Sequence, residues 1–126
     1  MRNPFSSLVL CSLIIFLSSC TALPGNSFTN SNLKVRDRTY TMVQASITAG
    51  ARCNDPIKVI DTKITRKPIQ KISNVKGVSL KIIMWSETWT ISACGGKFLV
   101  PIDFLTDKTS GNTSVRSNYG NIKKVG

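Results

Sequence analysis

The sequence predicts an α+β domain, one helix packed on a small antiparallel sheet built around a β-hairpin at about residues 84–105. Three observations predict it. Within residues 37–49, Tyr40, Val43 and Ile47 fall at i, i+3 and i+7, and Gly50 stands where such a helix would stop. Val78 to Cys94 and Lys97 to Leu105 flank Gly95-Gly96, a two-residue glycine loop of the kind that joins hairpin strands. The leader, residues 1–19, has the make-up of an export signal, so the rest of the chain is sized for a single small domain.

The leader carries a positive residue, Arg2, and an apolar run from Leu8 to Leu17. That run is shorter than the ~20 residues a membrane span requires. It closes on Leu17-Ser18-Ser19-Cys20, which resembles the lipobox of bacterial lipoproteins, a hydrophobic residue and two small residues before a cysteine. The resemblance implies cleavage between Ser19 and Cys20, a thioether from Cys20 to diacylglycerol and acylation of the new amine with a fatty acid such as palmitate. The protein would then be held to a membrane by its N-terminal acyl chains. Thiolate is the strongest nucleophile among the side chains, which is why serine could not replace cysteine in the transfer. Because Thr21 follows, rather than the aspartate that retains many such proteins in the inner membrane, the resemblance implies the outer membrane. The alternative is a plain signal peptide, which would leave Cys20 as an extra thiol in an oxidising compartment.

Residues 20–36 read as the lipidated N-terminus and a flexible tether, since Pro24, Gly25 and the Asn/Ser/Thr-rich run Asn26 to Asn32 show no period and little to bury. The domain is expected over 37–116, its helix capped by Asp37 or Thr39. Cys11 leaves with the signal, so a lipidated Cys20 leaves Cys53 and Cys94 as the remaining thiols, and an oxidising compartment favours a disulfide between them. By loop entropy such a bond would contribute roughly 4 kcal/mol. Two free thiols or half of a metal site are the alternatives, although no histidine is present to complete a zinc set.

From Pro56 the pattern turns to strands. Ile57 to Ile64 alternates imperfectly and Pro68 is expected to end or edge that strand, while residues 69–76 fit no pattern well. Taking Gly95-Gly96 as the hairpin loop pairs Cys94 with Lys97, Ala93 with Phe98, Ile91 with Val100, Trp89 with Ile102 and Glu87 with Phe104. Except for Glu87, the face holding Ala93, Ile91 and Trp89 is apolar, and the opposite face is largely polar. This register leaves Cys94 on the polar face, away from a helix packed on the apolar one, unless a bulge or the turn lets it reach around. Thr113 to Arg116 reads as a third strand, and 117–126 as a weakly ordered tail.

A second likeness rests on Gly50 and Cys53, then Trp85-x-Glu87-x-Trp89-x-Ile91-x-x-Cys94-Gly95, Val100-x-Ile102-x-Phe104 and Gly111-x-Thr113. This order resembles small envelope lipoproteins of Gram-negative bacteria with a Glu-x-Trp-x-Val-x-x-Cys-Gly hairpin, although those tend to carry two glycines where this chain has Gly111-Asn112. The resemblance implies a fold and a compartment, and no activity.

The chain has 17 basic and 6 acidic residues, and removing Arg2 with the leader takes the formal charge from +11 to +10. An exported protein of this charge is expected to meet an acidic envelope protein, an anionic envelope polymer or anionic lipid, and not nucleic acid. The densest stretch is Lys58 to Lys81, where seven basic residues stand with one acid, Asp61; Lys58, Lys63, Arg66, Lys67 and Lys71 are its candidate partner-binding residues. No histidine is present, which removes Ser-His-Asp triads, Cys-His dyads and histidine metal sites. No catalytic group, metal or cofactor is therefore expected. The expected function is a lipid-anchored, non-enzymatic envelope protein, an accessory or structural component such as of a secretion or conjugation apparatus. Two alternatives stand beside it: a binding module for lipopolysaccharide or anionic lipid, and an enzyme cleaving peptidoglycan through Glu87 between Trp85 and Trp89.

Overall fold

The computed structural model describes residues 22–126. The leader, the cleavage position at Ser19 and Cys20, and the lipidation of Cys20 lie outside the described residues. In chain order, a 3-10 turn (Phe28–Ser31) leads into helix α1 (Leu33–Gly50), followed by strands β1 (Lys58–Val75), β2 (Val78–Ala93), β3 (Gly96–Asp107), β4 (Thr113–Ser117) and β5 (Lys123–Lys124). A second 3-10 turn, Tyr119–Asn121, precedes β5. The sheet is antiparallel in the order β1-β2-β3-β4, with β5 also pairing β3. Among the described residues one α-helix lies on an antiparallel sheet, as the sequence predicts, but strands make up about half of those residues and β1 with β2 forms the longest hairpin.

Helix α1 begins four residues before the expected start because Asn32 caps it, its side chain accepting from Val35 N at 3.2 Å. Asp37 is instead exposed within the helix, and Thr39 is buried there with its hydroxyl donating to Val35 O at 2.7 Å. Val35, Thr39, Val43 and Ile47 form the buried stripe, spaced by four, with Tyr40 half-buried beside it. They pack on the sheet's inner face against Trp89, Ile91, Val100, Ile102 and Phe104. Among the described residues no helix is long and apolar enough to cross a membrane.

The expected tether is, from residue 22 onward, part of the fold. Leu23, Ser27 and Thr29 are buried. Asn30 grips Leu23 in both directions, accepting from its N–H at 2.7 Å and donating to its carbonyl at 3.1 Å. Thr62 of β1 donates to Pro24 O at 2.6 Å and accepts from Ser27 N at 3.1 Å, while Asn26 N reaches Thr62 O at 3.2 Å. The Asn/Ser/Thr composition that suggests a linker thus supplies the hydrogen bonds that an irregular buried backbone requires.

Strand β1 does not stop at Pro68. It runs on to Val75 because it is the outermost strand, and Pro68 falls in the irregular stretch between Arg66 and Ile69, where no ladder bond needs its missing N–H. Lys76 and Gly77, both at positive φ, close the β1–β2 hairpin, the primed turn that suits strand twist. In the β2–β3 hairpin, Ala93 pairs with Gly96, so the turn is Cys94-Gly95 rather than Gly95-Gly96, again with both residues at positive φ. Every expected pair is displaced by two: Ile91 meets Phe98, Trp89 meets Val100, and Glu87 meets Ile102. A displacement of two preserves the pleat, so the apolar set still faces inward. Cys94 is thereby freed from the polar face and sits at the tip, where it bonds Cys53 with the two Cα atoms 6.1 Å apart. The tail also contributes regular structure, since β5 pairs with Phe98 and Leu99 and Val125 N donates to Lys97 O at 2.8 Å.

Candidate functional site

Glu87 is fully buried, and its surroundings show why. Alternation along β2 sends Trp85, Glu87 and Trp89 to the inner face together. The indole of Trp89 donates to Glu87 Oε1 at 2.9 Å and that of Trp85 to Oε2 at 2.8 Å. The remaining two bonds come from the N-terminal segment: Ser27 Oγ donates to Oε1 at 2.6 Å and Phe28 N to Oε2 at 3.1 Å. Because the single Ser27 proton goes to Glu87, the hydroxyl of Thr29, 2.7 Å away, must donate to Ser27. Trp85 is flanked by Phe104, stacked at 4.7 Å, and by Phe28, edge-on at 6.0 Å.

Four donors on two carboxylate oxygens leave no direction open to a substrate. Trp89 is 0% exposed and Trp85 9%, so both rings are largely covered by the core. The row on which a glycan-cleaving site would rest is a core clasp joining the N-terminal segment to β2. Sequence reasoning missed Ser27 and Phe28 as its partners; the buried Glu between two tryptophans was the only signal, and it does not say which donors meet it.

The basic candidates are brought together. Lys58, Lys63, Arg66 and Lys71 pair with Ser92, Thr88, Ser86 and Ile82, which places all four on the sheet's outer face, opposite α1. Lys67 lies in the irregular stretch of the same strand, and all five are exposed. The outer face also holds a groove of about 520 Å³ across β1 to β4, with Met84 and Leu105 on its floor, Asp103 and Ser86 bonded to each other at 2.7 Å, and Arg66 and Arg116 lining it. Arg116 enters this surface through pairing with Asp103, a neighbour no local pattern in the sequence discloses.

Cys53, Asp55 and Cys94 place their ligand atoms within 4.8 Å of one another. The two sulfurs are joined to each other, however, so the trio is not a metal-ligand set. The bond ties the end of α1 to the β2–β3 turn. Gln44 reinforces that corner, accepting from Ile57 N at 2.9 Å and donating to Asp55 O at 3.1 Å. Comparison of the chain with protein-family models, with curated proteins and with solved structures finds no match.

Proposed function

We propose that this is a lipid-anchored, non-enzymatic protein of the outer membrane, an accessory or structural component that turns a basic face toward an acidic partner. The observation that carries the reading is the collection of Lys58, Lys63, Arg66 and Lys71 on the outer side of one exposed edge strand. Charges dispersed in sequence become one surface, which attracts anions over a distance of about a Debye length. The lipobox at Leu17-Ser18-Ser19-Cys20 supplies the anchor. The non-enzymatic half is supported by Glu87, whose oxygens are all engaged in holding the core.

Metabolic labelling with palmitate tests the anchor: label should follow the protein into the outer-membrane fraction and be lost from Cys20→Ala. The basic face is tested on a phosphate-bearing cation-exchange matrix. Lys63→Glu, Arg66→Glu and Lys71→Glu together should elute at markedly lower salt than Lys34→Glu, Lys108→Glu and Lys124→Glu together. Equal elution of the two triple variants would mean that the charge acts as a diffuse cloud and that β1 presents no face.

A further inference from the structure

We infer that the acidic partner of β1 is the phosphate layer of the bilayer that holds the anchor, with β1 and the outer face of the β1–β2 arm resting on anionic lipid headgroups. The inference rests on the lipid-anchor reading above and adds to it an orientation and a ligand.

The first ground is reach. Leu23 is buried and gripped by Asn30, and only three peptide steps separate it from Cys20. Fully extended, they span about 10 Å, so the folded body cannot rise far from a membrane to which Cys20 is attached.

The second ground is the place where the chain leaves the body. Pro24, Asn26 and Ser27 are bonded to Thr62, and Asn26 Oδ1 accepts from Ile64 N at 3.0 Å. The anchor therefore departs beside β1, the strand that carries Lys58, Lys63, Arg66, Lys67 and Lys71.

The third ground is the arm. Ile82 pairs with Asp107 at the end of β3, and beyond it β1 and β2 continue as a two-stranded ribbon. Register puts Val78 and Leu80 on the outer face of this arm, and Ile69, Ile82, Met84 and Lys71 on the same face at its base, where β3 still pairs with β2. Ile69 is 43% and Val78 55% exposed, and Lys67, Lys71 and Lys76 are exposed around them. Apolar side chains bordered by lysines suit the boundary between headgroups and acyl chains, where methyl groups enter the hydrocarbon and ammonium groups meet phosphate. A second copy would bring like charges together on the same face. An acidic protein would answer the lysines and leave the exposed isoleucine and valine unexplained.

The test uses the full processed protein, extracted from membranes and reconstituted into vesicles of phosphatidylcholine alone or with phosphatidylglycerol. An amine-reactive reagent that cannot cross the bilayer reports each lysine by mass spectrometry. On anionic vesicles Lys58, Lys63 and Lys71 should label at least about fivefold more slowly than on neutral ones, a ratio matching the attraction of roughly one lysine to an anionic surface. Lys34, exposed on α1, should be unchanged, and 0.5 M salt should abolish the protection. Arg66→Glu with Ile69→Ser, both on the exposed strand, should weaken the protection of Lys63 while leaving the thermal melt intact. Equal labelling on both vesicles overturns the orientation, and so does protection that appears only when an acidic envelope protein is added. The same spectra show whether Cys20 carries diacylglycerol. An unmodified Cys20 overturns the anchor reading and this inference with it, whereas a lipidated chain with unprotected lysines overturns the inference alone.

Discussion

At Glu87 a carboxylate sits in the middle of an apolar face, and the donors it meets among the described residues are neutral: two indoles from its own strand, one hydroxyl and one backbone amide. Glu87→Gln keeps the shape and replaces one acceptor oxygen by an NH₂ group. Whichever way the amide turns, that donor faces an indole N–H that cannot reverse. We expect a loss of about 2–4 kcal/mol, which lowers Tm by roughly 10 °C or more in a domain of this size. A circular-dichroism melt of Glu87→Gln indistinguishable from the parent would show that the clasp contributes nothing. Tyr40 gives a second residue-scale expectation. Its hydroxyl donates to Ile57 O at 2.6 Å, and burial holds its ionisation above the ordinary tyrosine value. The folded state then keeps a proton that the unfolded chain releases, so stability is level below about pH 10 and falls as pH rises through the folded value. Denaturation curves from pH 8 to 12 should show that decline, and Tyr40→Phe should lessen it.

At the scale of elements, the parts legible in sequence are those whose signal is local. The i, i+3, i+7 spacing of Tyr40, Val43 and Ile47 found the helix, and alternation found the inward face of the hairpin despite a loop misplaced by one residue. That loop was misplaced because Gly95-Gly96 is the more familiar pair, whereas the turn tolerates Cys94 at φ 49° and so lets the disulfide form at the tip. The start of α1 was hidden because Thr39 and Arg36 occupy buried positions that a hydrophobic pattern does not credit. The disulfide itself was legible by elimination, and its effect follows from a sequence separation of 41. Closing a loop of that length stabilises by about 4 kcal/mol on the chain-entropy account. Cys53→Ser with Cys94→Ser should therefore shift the urea midpoint down by more than 1 M, taking a slope of about 1–3 kcal/mol/M. The slope itself should change as well, because the unfolded chain is no longer looped and exposes more surface. A midpoint shift of a few tenths molar would assign the stability of that corner to Gln44 and the packing of Ile57 instead.

For the molecule as a whole, the consequential boundary is the one the sequence obscured, between what is anchor and what is domain. Asn, Ser and Thr serve linkers and irregular folded segments alike, and only the long-range partner decides which. Here the partners are Thr62, 38 residues from Pro24, and Glu87, 60 residues from Ser27. Gly25 marks the intimacy of that contact: it sits at φ +89°, and a Cβ there would lie 2.0 Å from Thr62 O, a position open only to glycine. Two variants separate the roles. Deleting residues 22–32 removes the N-cap of α1, two of the four donors on Glu87 and the buried Leu23 and Thr29. Each loss is of order 1–3 kcal/mol, and against a total stability of about 5–15 kcal/mol their sum approaches the whole. The deleted chain should therefore lose its cooperative melt even with the disulfide intact. Inserting ten Gly/Ser residues between Thr21 and Ala22 touches none of these contacts, so the melt should be unchanged while the anchor's reach more than doubles. If the deletion melts like the parent, residues 22–32 are a tether after all, and a spacer that lowers the melt would place folded contacts on the anchor side of Ala22.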